Sequence, residues 1–510
     1  MPAVTSAVST STIPDPASLK AAVSELDIAS LFVADKSARE TAAKSLLAVS
    51  PATLESSGFA EAVIKALADK KSPAAREGAA DAIKVLSKSK DSVKVLEPVF
   101  ISSGIYAALL ETFADKMPAV RTVAVDAVRD FVASMNPWAT ALILPALLHE
   151  IKSAGKWQVK TGALTILDQL VKSAPVQTAR LMPDIVPVLS EAIWDTKADV
   201  KKAARDSLTK ATALISNKDI ERFIPALIKA LINPVEEVPN TIALLSATTF
   251  VSEVDSATLS LMVPLLSRGL SEKLTATKRK VAVIVDNMAK LVDSHITVRP
   301  FIPKLLPGLI KVESAMGDPE ARGIVNKAIA TLRQVGQVPE DSDGSDLPPL
   351  KFADGAQLSH SLVAIYKKLG GEISPAHVSV IYASALAANL VNAKNFDVPD
   401  WETLAPFLAY AAEKPDSVTA TREWVVRSAS DDVNEEEVLE DEEEGEDLCN
   451  CQFSLAYGAK ILLNTATLRL KRGHRYGLCG KNGTGKSTLM RAITNGCVFC
   501  NFFLPFLTSL

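Results

Sequence analysis

The sequence predicts a mainly α-helical chain in three parts: an α-solenoid, then a four-helix bundle, then the start of an α/β phosphate-loop domain. Three observations predict it. A short pattern returns at nearly constant spacing through the first two thirds; four helix-sized segments follow, with short separators; and near the end a brief apolar run leads into Gly480-Lys481-Asn482-Gly483-Thr484-Gly485-Lys486-Ser487-Thr488. The 510 residues are 48% hydrophobic and 22% charged, which fills several cores and excludes a fibrous or globally disordered chain. Aromatics at 5% suit helices packed through Ala, Leu, Val and Ile.

Residues 1–20 are rich in Ser, Thr, Ala and Pro, with neither a basic start nor an apolar stretch. They read as a disordered N-terminus and not as a signal peptide. From residue 21 to 336 a turn, then Val or Ala, then Arg or Lys, then an Ala/Val-rich helix recurs. Taken at Arg39, Arg76, Arg121, Lys160, Lys201, Pro239, Arg279 and Arg322, the intervals are 37, 45, 39, 41, 38, 40 and 43 residues. Each unit also holds a second apolar helix, such as Phe223–Leu231. One helix pair cannot cover its own apolar face, so stacked neighbours must, and this period is that of HEAT-type repeats. Lys201-Lys202 and Lys278-Arg279-Lys280 fall at repeat turns, where a solenoid can align positive charge for RNA or simply present solvated faces.

Residues 337–354 turn to Pro, Asp, Ser and Gly and read as a linker. Within 355–430 four helices are expected near Ala356–Leu369, Pro375–Val391, Trp401–Glu413 and Ser417–Ser428, packed as an antiparallel bundle. Residues 431–447 hold twelve Asp or Glu and no Lys or Arg. With 59 acids in all, 47 remain against 55 bases, so the rest of the chain has a surplus of eight positive charges. This acidic tract should repel itself and stay extended, as a spacer or as a contact to a basic partner.

Residues 448–496 change character. Phe453, Leu455 and Tyr457 alternate with polar residues, Ile461–Leu463 and Thr467–Leu470 look like strands, and Arg475–Cys479 is the short apolar run of a buried strand. The glycine-rich segment after it has the phosphate-loop spacing. Gly480, Gly483 and Gly485 allow the amides around Asn482 and Thr484 to turn inward as an anion nest, and the helix beginning near Lys486 adds its positive end. Lys486 would reach the β- and γ-phosphates, Ser487 would give a hydroxyl to Mg²⁺, and Thr488 would stand near the α- and β-phosphates. Leu489, Met490 and Ile493 should form the buried face of that helix. Tyr457, 23 residues before Gly480, either stacks on adenine, favouring ATP, or covers the sheet as a plain strand residue.

The arrangement of Tyr457-Gly458, two strands, phosphate loop and helix resembles an ATP-binding cassette (ABC) domain. The stretches Leu448–Asn464 and Arg475–Ile493, with the order of repeats, bundle and cassette, resemble the fungal translation elongation factor 3 family over residues 1 to about 496. That resemblance implies a cytosolic factor that binds the ribosome, its RNA and its proteins, and uses ATP with Mg²⁺ to help release deacylated tRNA from the exit site. The aminoacyl-tRNA delivery factor is a further partner it implies, and no membrane is involved. Tyr457 and Gly480–Thr488 would be this chain's share of the first ATP site. The alternative is a non-catalytic HEAT scaffold docking on ribosomes or another large partner; a transport-receptor-like solenoid leaves the cassette segment unexplained.

Residues 497–510, CVFCNFFLPFLTSL, depart from the family as a divergent tail. The second acidic strand motif, the Leu-Ser-Gly-Gly signature and the switch histidine of the family are not found, and Leu369-Gly370-Gly371 reads as a turn. The chain is therefore expected to be truncated within its first cassette. All five cysteines lie between Cys449 and Cys500, which argues against a secreted disulfide scaffold. Their spacings fit no standard zinc site, so no metal beyond Mg²⁺ is expected. His474 reads as a surface strand residue. Phosphoryl transfer needs groups to hold Mg²⁺ and position water, so this chain should not hydrolyse ATP. Its phosphate-release rate should equal that of Lys486→Ala, and a parental rate above the variant's would refute this.

Overall fold

The structure is a computed structural model that describes residues 27–49, 51–88, 90–248, 250–292, 294–348, 350, 352–412, 416–440, 447–457, 460–472, 476, 486, 489 and 490. The chain divides into two compact units, Met1–Ala429 and Ser430–Leu510.

In the first unit helices come in pairs. They include Phe59–Leu67 with Pro73–Leu86, Ile105–Thr112 with Pro118–Ser134, Thr140–Ser153 with Trp157–Ser173, and Met182–Ala192 with Ala198–Thr212. Ile224–Ile232 with Pro234–Ser246, Ser256–Leu270 with Thr275–Ala289, and Ile302–Ala315 with Pro319–Gly336 continue the series. Proline at the first position starts several second helices, because its missing N–H is one the helix cannot satisfy there. Second helices stack on second helices, as Pro73–Leu86 does on Pro118–Ser134 and Trp157–Ser173 on Ala198–Thr212. First helices stack likewise, Ile105–Thr112 on Thr140–Ser153 and Ser256–Leu270 on Ile302–Ala315. The core lies between these two layers; Ile83, Phe113, Phe131, Leu167 and Leu208 are fully buried in it. At Gly78 the backbones nearly touch: a Cβ there would lie 1.9 Å from the Leu31 carbonyl oxygen, so no larger residue fits without moving the chain.

The repeating basic residue is the fourth of its helix in Lys36–Ser45, Pro73–Leu86, Pro118–Ser134, Trp157–Ser173, Ala198–Thr212 and Pro319–Gly336. From there it reaches back to the turn behind it. Arg39 Nη1 donates to the Val33 and Ala34 carbonyls at 3.0 and 2.9 Å, Arg76 Nη1 to Asp69 O at 2.6 Å, and Arg121 Nη1 to Asp115 O at 2.7 Å. It also reaches the next repeat: Arg39 to Glu77 at 3.0 Å, Arg76 to Asp115 at 2.6 Å, and Lys160 to Asp195 at 2.7 Å.

The helices Gly355–Lys368 and Val378–Asn392 follow. The third segment expected at Trp401–Glu413 is instead two short helices, Val398–Glu402 and Ala405–Ala411, separated at Thr403–Leu404 ahead of Pro406, with the Trp401 indole N–H donating back to Asn395 O at 2.9 Å. Trp401 and Trp424 are fully buried and meet edge to face at 5.6 Å. The last helix, Ser417–Glu440, carries on through much of the acidic tract expected to be extended. Glutamate is a good helix former, and a helix already nucleated adds residues cheaply, which outweighs repulsion in solvent.

These helices pack against early repeats. Asn389 Nδ2 donates to Trp138 O and Asn136 Nδ2 to Thr403 Oγ1, each at 2.9 Å, and Arg180 Nη2 donates to Ala393 O at 2.9 Å. At the centre lies Glu97, 2% exposed. Its Oε1 accepts from the Asn136 N–H at 2.9 Å and from the Tyr382 hydroxyl. Burial pushes the Glu97 carboxyl up to about 7, against those two hydrogen bonds.

The unfolded chain gives up the Glu97 proton near 4.5, while the folded chain keeps it to about 7. Stability should therefore fall as pH rises across that interval, by roughly 3 kcal/mol. Glu97→Gln keeps both hydrogen bonds without the charge. It should raise the melting temperature at pH 8 and flatten the pH dependence between 4.5 and 7, read by thermal unfolding across pH.

Candidate nucleotide site and basic surfaces

In the second unit β1 (Asp447–Tyr457) pairs antiparallel with β2 (Lys460–Lys471), with Tyr457 opposite Lys460 and Phe453 opposite Ala466. The two segments expected at Ile461–Leu463 and Thr467–Leu470 belong to this one second strand. Register shifts near Leu455 bend the ribbon just before Tyr457. Tyr457 thus ends β1, opposite the first residue of β2.

Of the phosphate loop, Lys486 is described: it is half-buried on helical backbone, and Leu489 and Met490 are helical too. This fits the expected helix. An ammonium at that position has the chemistry to meet a nucleotide phosphate. Met490, expected on the buried face, is 56% exposed, whereas Leu489 is half-buried. One turn of helix cannot bury both side chains, since adjacent residues point about 100° apart. Gly480, Asn482, Gly483, Thr484, Gly485, Ser487, Thr488, His474, Ile493 and the run Arg475–Cys479 (Tyr476 apart) lie outside the described residues, as do residues 1–20 and 497–510. Among the described residues no cluster of His, Cys, Asp or Glu could hold a metal ion, and no helix is long and apolar enough to cross a membrane.

The basic residues singled out on the solenoid sit inside second helices and not in the turns. Arg279 pairs with Glu320 at 2.6 Å; Lys201 and Lys278 are half-buried, and Lys202 and Lys280 are exposed. Sequence reasoning passed over the lysines of the turns themselves, Lys70, Lys71, Lys116 and Lys197, all exposed. Their signal was available: each follows an Asp by one or two residues just before the repeat's second helix.

Comparison with known proteins bears on both regions. Residues 35–208 match the family described as EF3 N-terminal HEAT repeat, residues 236–343 the Elongation factor 3/GNC1 HEAT repeat, and residues 463–497 the ABC transporter family. Over 486 residues, 94% of this chain and 44% of the relative, it is 54% identical to elongation factor 3 of Mycosarcoma maydis. The chain belongs to the elongation factor 3 family. It is also 45% identical to elongation factor 3 of Pneumocystis carinii over 81% of this chain and 39% of that one. With elongation factor 3B of Saccharomyces cerevisiae it shares 48% identity over 74% of this chain and 36% of the relative. The chain thus spans less than half the length of these curated relatives. Family membership and the helical pairs above make it a HEAT-repeat solenoid followed by helices and the start of an ABC domain. Among solved structures it is similar to an engineered protein over 81% of this chain and 99% of that one, at 15% identity and a TM-score of 0.28, which adds nothing to the assignment.

Proposed function

We propose that this chain is the ribosome-docking and first nucleotide-holding portion of a translation elongation factor of the ABC class. The observation that carries the reading is the 54% identity to an elongation factor 3 along 94% of the chain. In this reading the solenoid and bundle, residues 21–430, dock on the ribosome through its RNA and proteins. Residues 448–496 hold ATP with Mg²⁺, and the acidic tract links the two regions. The backbone amides of Gly480–Gly485 and the Lys486 ammonium grip the phosphates, Ser487 holds the Mg²⁺, Thr488 stands by the α- and β-phosphates, and Tyr457 stacks on the adenine. The whole factor then promotes release of deacylated tRNA from the exit site in the cytoplasm, with the aminoacyl-tRNA delivery factor as a second partner.

Co-sedimentation of the chain with 80S particles, with and without Mg-ATP, tests this. The chain should pellet at about 50 mM salt and much less at about 200 mM, as phosphate contacts weaken. In a filter assay Lys486→Ala should retain at least tenfold less labelled ATP than the parent. Pelleting without any nucleotide retention would favour the scaffold reading, and no pelleting at either salt concentration would sink the proposal.

A further inference from the structure

The inter-helix turns of four successive repeats are joined edge to edge. Arg76 Nε lies 2.6 Å from Asp115 Oδ2, Lys156 Nζ 2.8 Å from Ala114 O, and Lys160 Nζ 2.7 Å from Asp195 Oδ2. The turns at 69–72, 114–117, 154–157 and 194–197 therefore form one continuous edge. Packed helices stand about 8–10 Å apart, so the edge runs roughly 30 Å.

Positive charge dominates that edge. Lys70, Lys71, Lys116 and Lys197 are exposed, and their ammonium groups have no partner among the described residues. The carboxylates beside them are already engaged. Asp69 accepts from the Lys71 N–H at 2.8 Å, Asp115 from Arg76 and the Met117 N–H, and Asp195 from Lys160 and the Lys197 N–H. Burial pushes the Asp115 and Asp195 carboxyls up, but these partners outweigh it and hold both below the ordinary range, charged and paired. The next turn carries Glu236 and Glu237 with no base between Asn233 and Pro239, which ends the edge.

Lysines alone make a solvated face. The same turns also present indoles: Trp194 is 57% exposed and Trp157 38%, whereas Trp138, Trp401 and Trp424 are buried. Both rings present part of their surface to solvent, and a flat apolar ring set between ammonium groups is the recognition chemistry of unpaired nucleic acid.

We propose that this edge, from Lys70 to Lys197, binds a single-stranded RNA segment whose phosphates meet the lysines and whose bases stack on Trp157 and Trp194. An acidic polypeptide would use the ammonium groups and leave the indoles bare; a duplex would offer phosphates with its bases stacked away. That the nucleic acid is RNA rests on the ribosomal reading above.

The test titrates the whole chain with a labelled hexadecamer of uridylate, a duplex RNA of equal length and polyglutamate, following anisotropy and tryptophan fluorescence. The single strand should bind best and quench emission. Exchange of Lys70, Lys71, Lys116 and Lys197 to Glu should weaken binding at least tenfold. It should also lower the slope of log affinity against log salt by about 3, at about 0.7 per lost phosphate contact. Lys311→Glu, exposed and off the edge, should change neither. Trp157→Ala with Trp194→Ala should abolish quenching and weaken binding about tenfold. Equal binding of the duplex, full competition by polyglutamate, or unaltered binding by the lysine variant would each overturn the proposal. If that variant loses hexadecamer binding yet still pellets with 80S particles, the edge binds RNA but the ribosome is held elsewhere; if the parent pellets and never binds the single strand, the edge proposal fails and the ribosomal reading stands.

Discussion

The solenoid depends on one recurring grip: in most repeats a basic side chain in the first turn of a helix holds the turn behind it, the repeat ahead of it, or both. Carbonyl groups at a turn have no helical partner and must find a donor elsewhere. Arg39, Arg76 and Arg121 supply it, and Arg39 and Arg76 then pair across to the next repeat. Arg39 and Arg76 are themselves buried, so losing one partner would strand a charge, a defect worth about 3–5 kcal/mol. Lysine at 160 makes the forward bridge without the backward fork, because a single ammonium lacks the geometry of a guanidinium. Where Pro239 takes the position no such bridge can form, and Met182–Ala192, besides packing on its own partner Ala198–Thr212, reaches Ser256–Leu270 beyond the neighbouring pair.

Docking of the bundle follows a different logic. Its seam with the early repeats is fixed by polar contacts set in apolar surroundings: Asn389 to Trp138, Asn136 to Thr403, and Tyr382 with Asn136 on Glu97. A buried carboxylate adds little net stability over an apolar pair of the same shape, but it tolerates a single alignment of its donors. The seam therefore specifies where the bundle sits more than how tightly.

Much of this was legible in the sequence. The spacing from Arg39 to Arg322 identified the repeats, and four of the same residues, Arg39, Arg76, Lys160 and Arg279, proved to be rungs that join one repeat to the next. Alternation at Phe453, Leu455 and Tyr457 marked β1. Three features were not legible, for physical reasons. The split of the third bundle segment falls at Thr403–Leu404, ahead of Pro406, which starts a new helix, whereas the apolar spacing of Trp401, Leu404 and Leu408 runs on across the break. The helix through the acidic tract reflects continuation from Ser417, which a charge count ignores. Contact between Asn136 and Thr403 joins residues 267 positions apart, beyond the reach of any local pattern. Lysines in the turns carry a weaker signal, a single base one or two residues after an Asp, than the denser basic runs inside the helices.

That long separation has a consequence for how the chain is made. Tyr382 emerges 285 residues after Glu97, the carboxylate it must cover. At synthesis rates of about 5–20 residues per second, the first repeats wait roughly 15–60 s for their cover. Repeats that fold by stacking on their neighbours can form during that interval, leaving an acidic, half-finished seam around Glu97 and Trp138 open to solvent on the nascent chain. Open to solvent, the Glu97 carboxyl is ionised and keeps this waiting surface from behaving as a bare apolar patch, so the residue that costs stability in the finished protein gives the unfinished one a charge at its open seam.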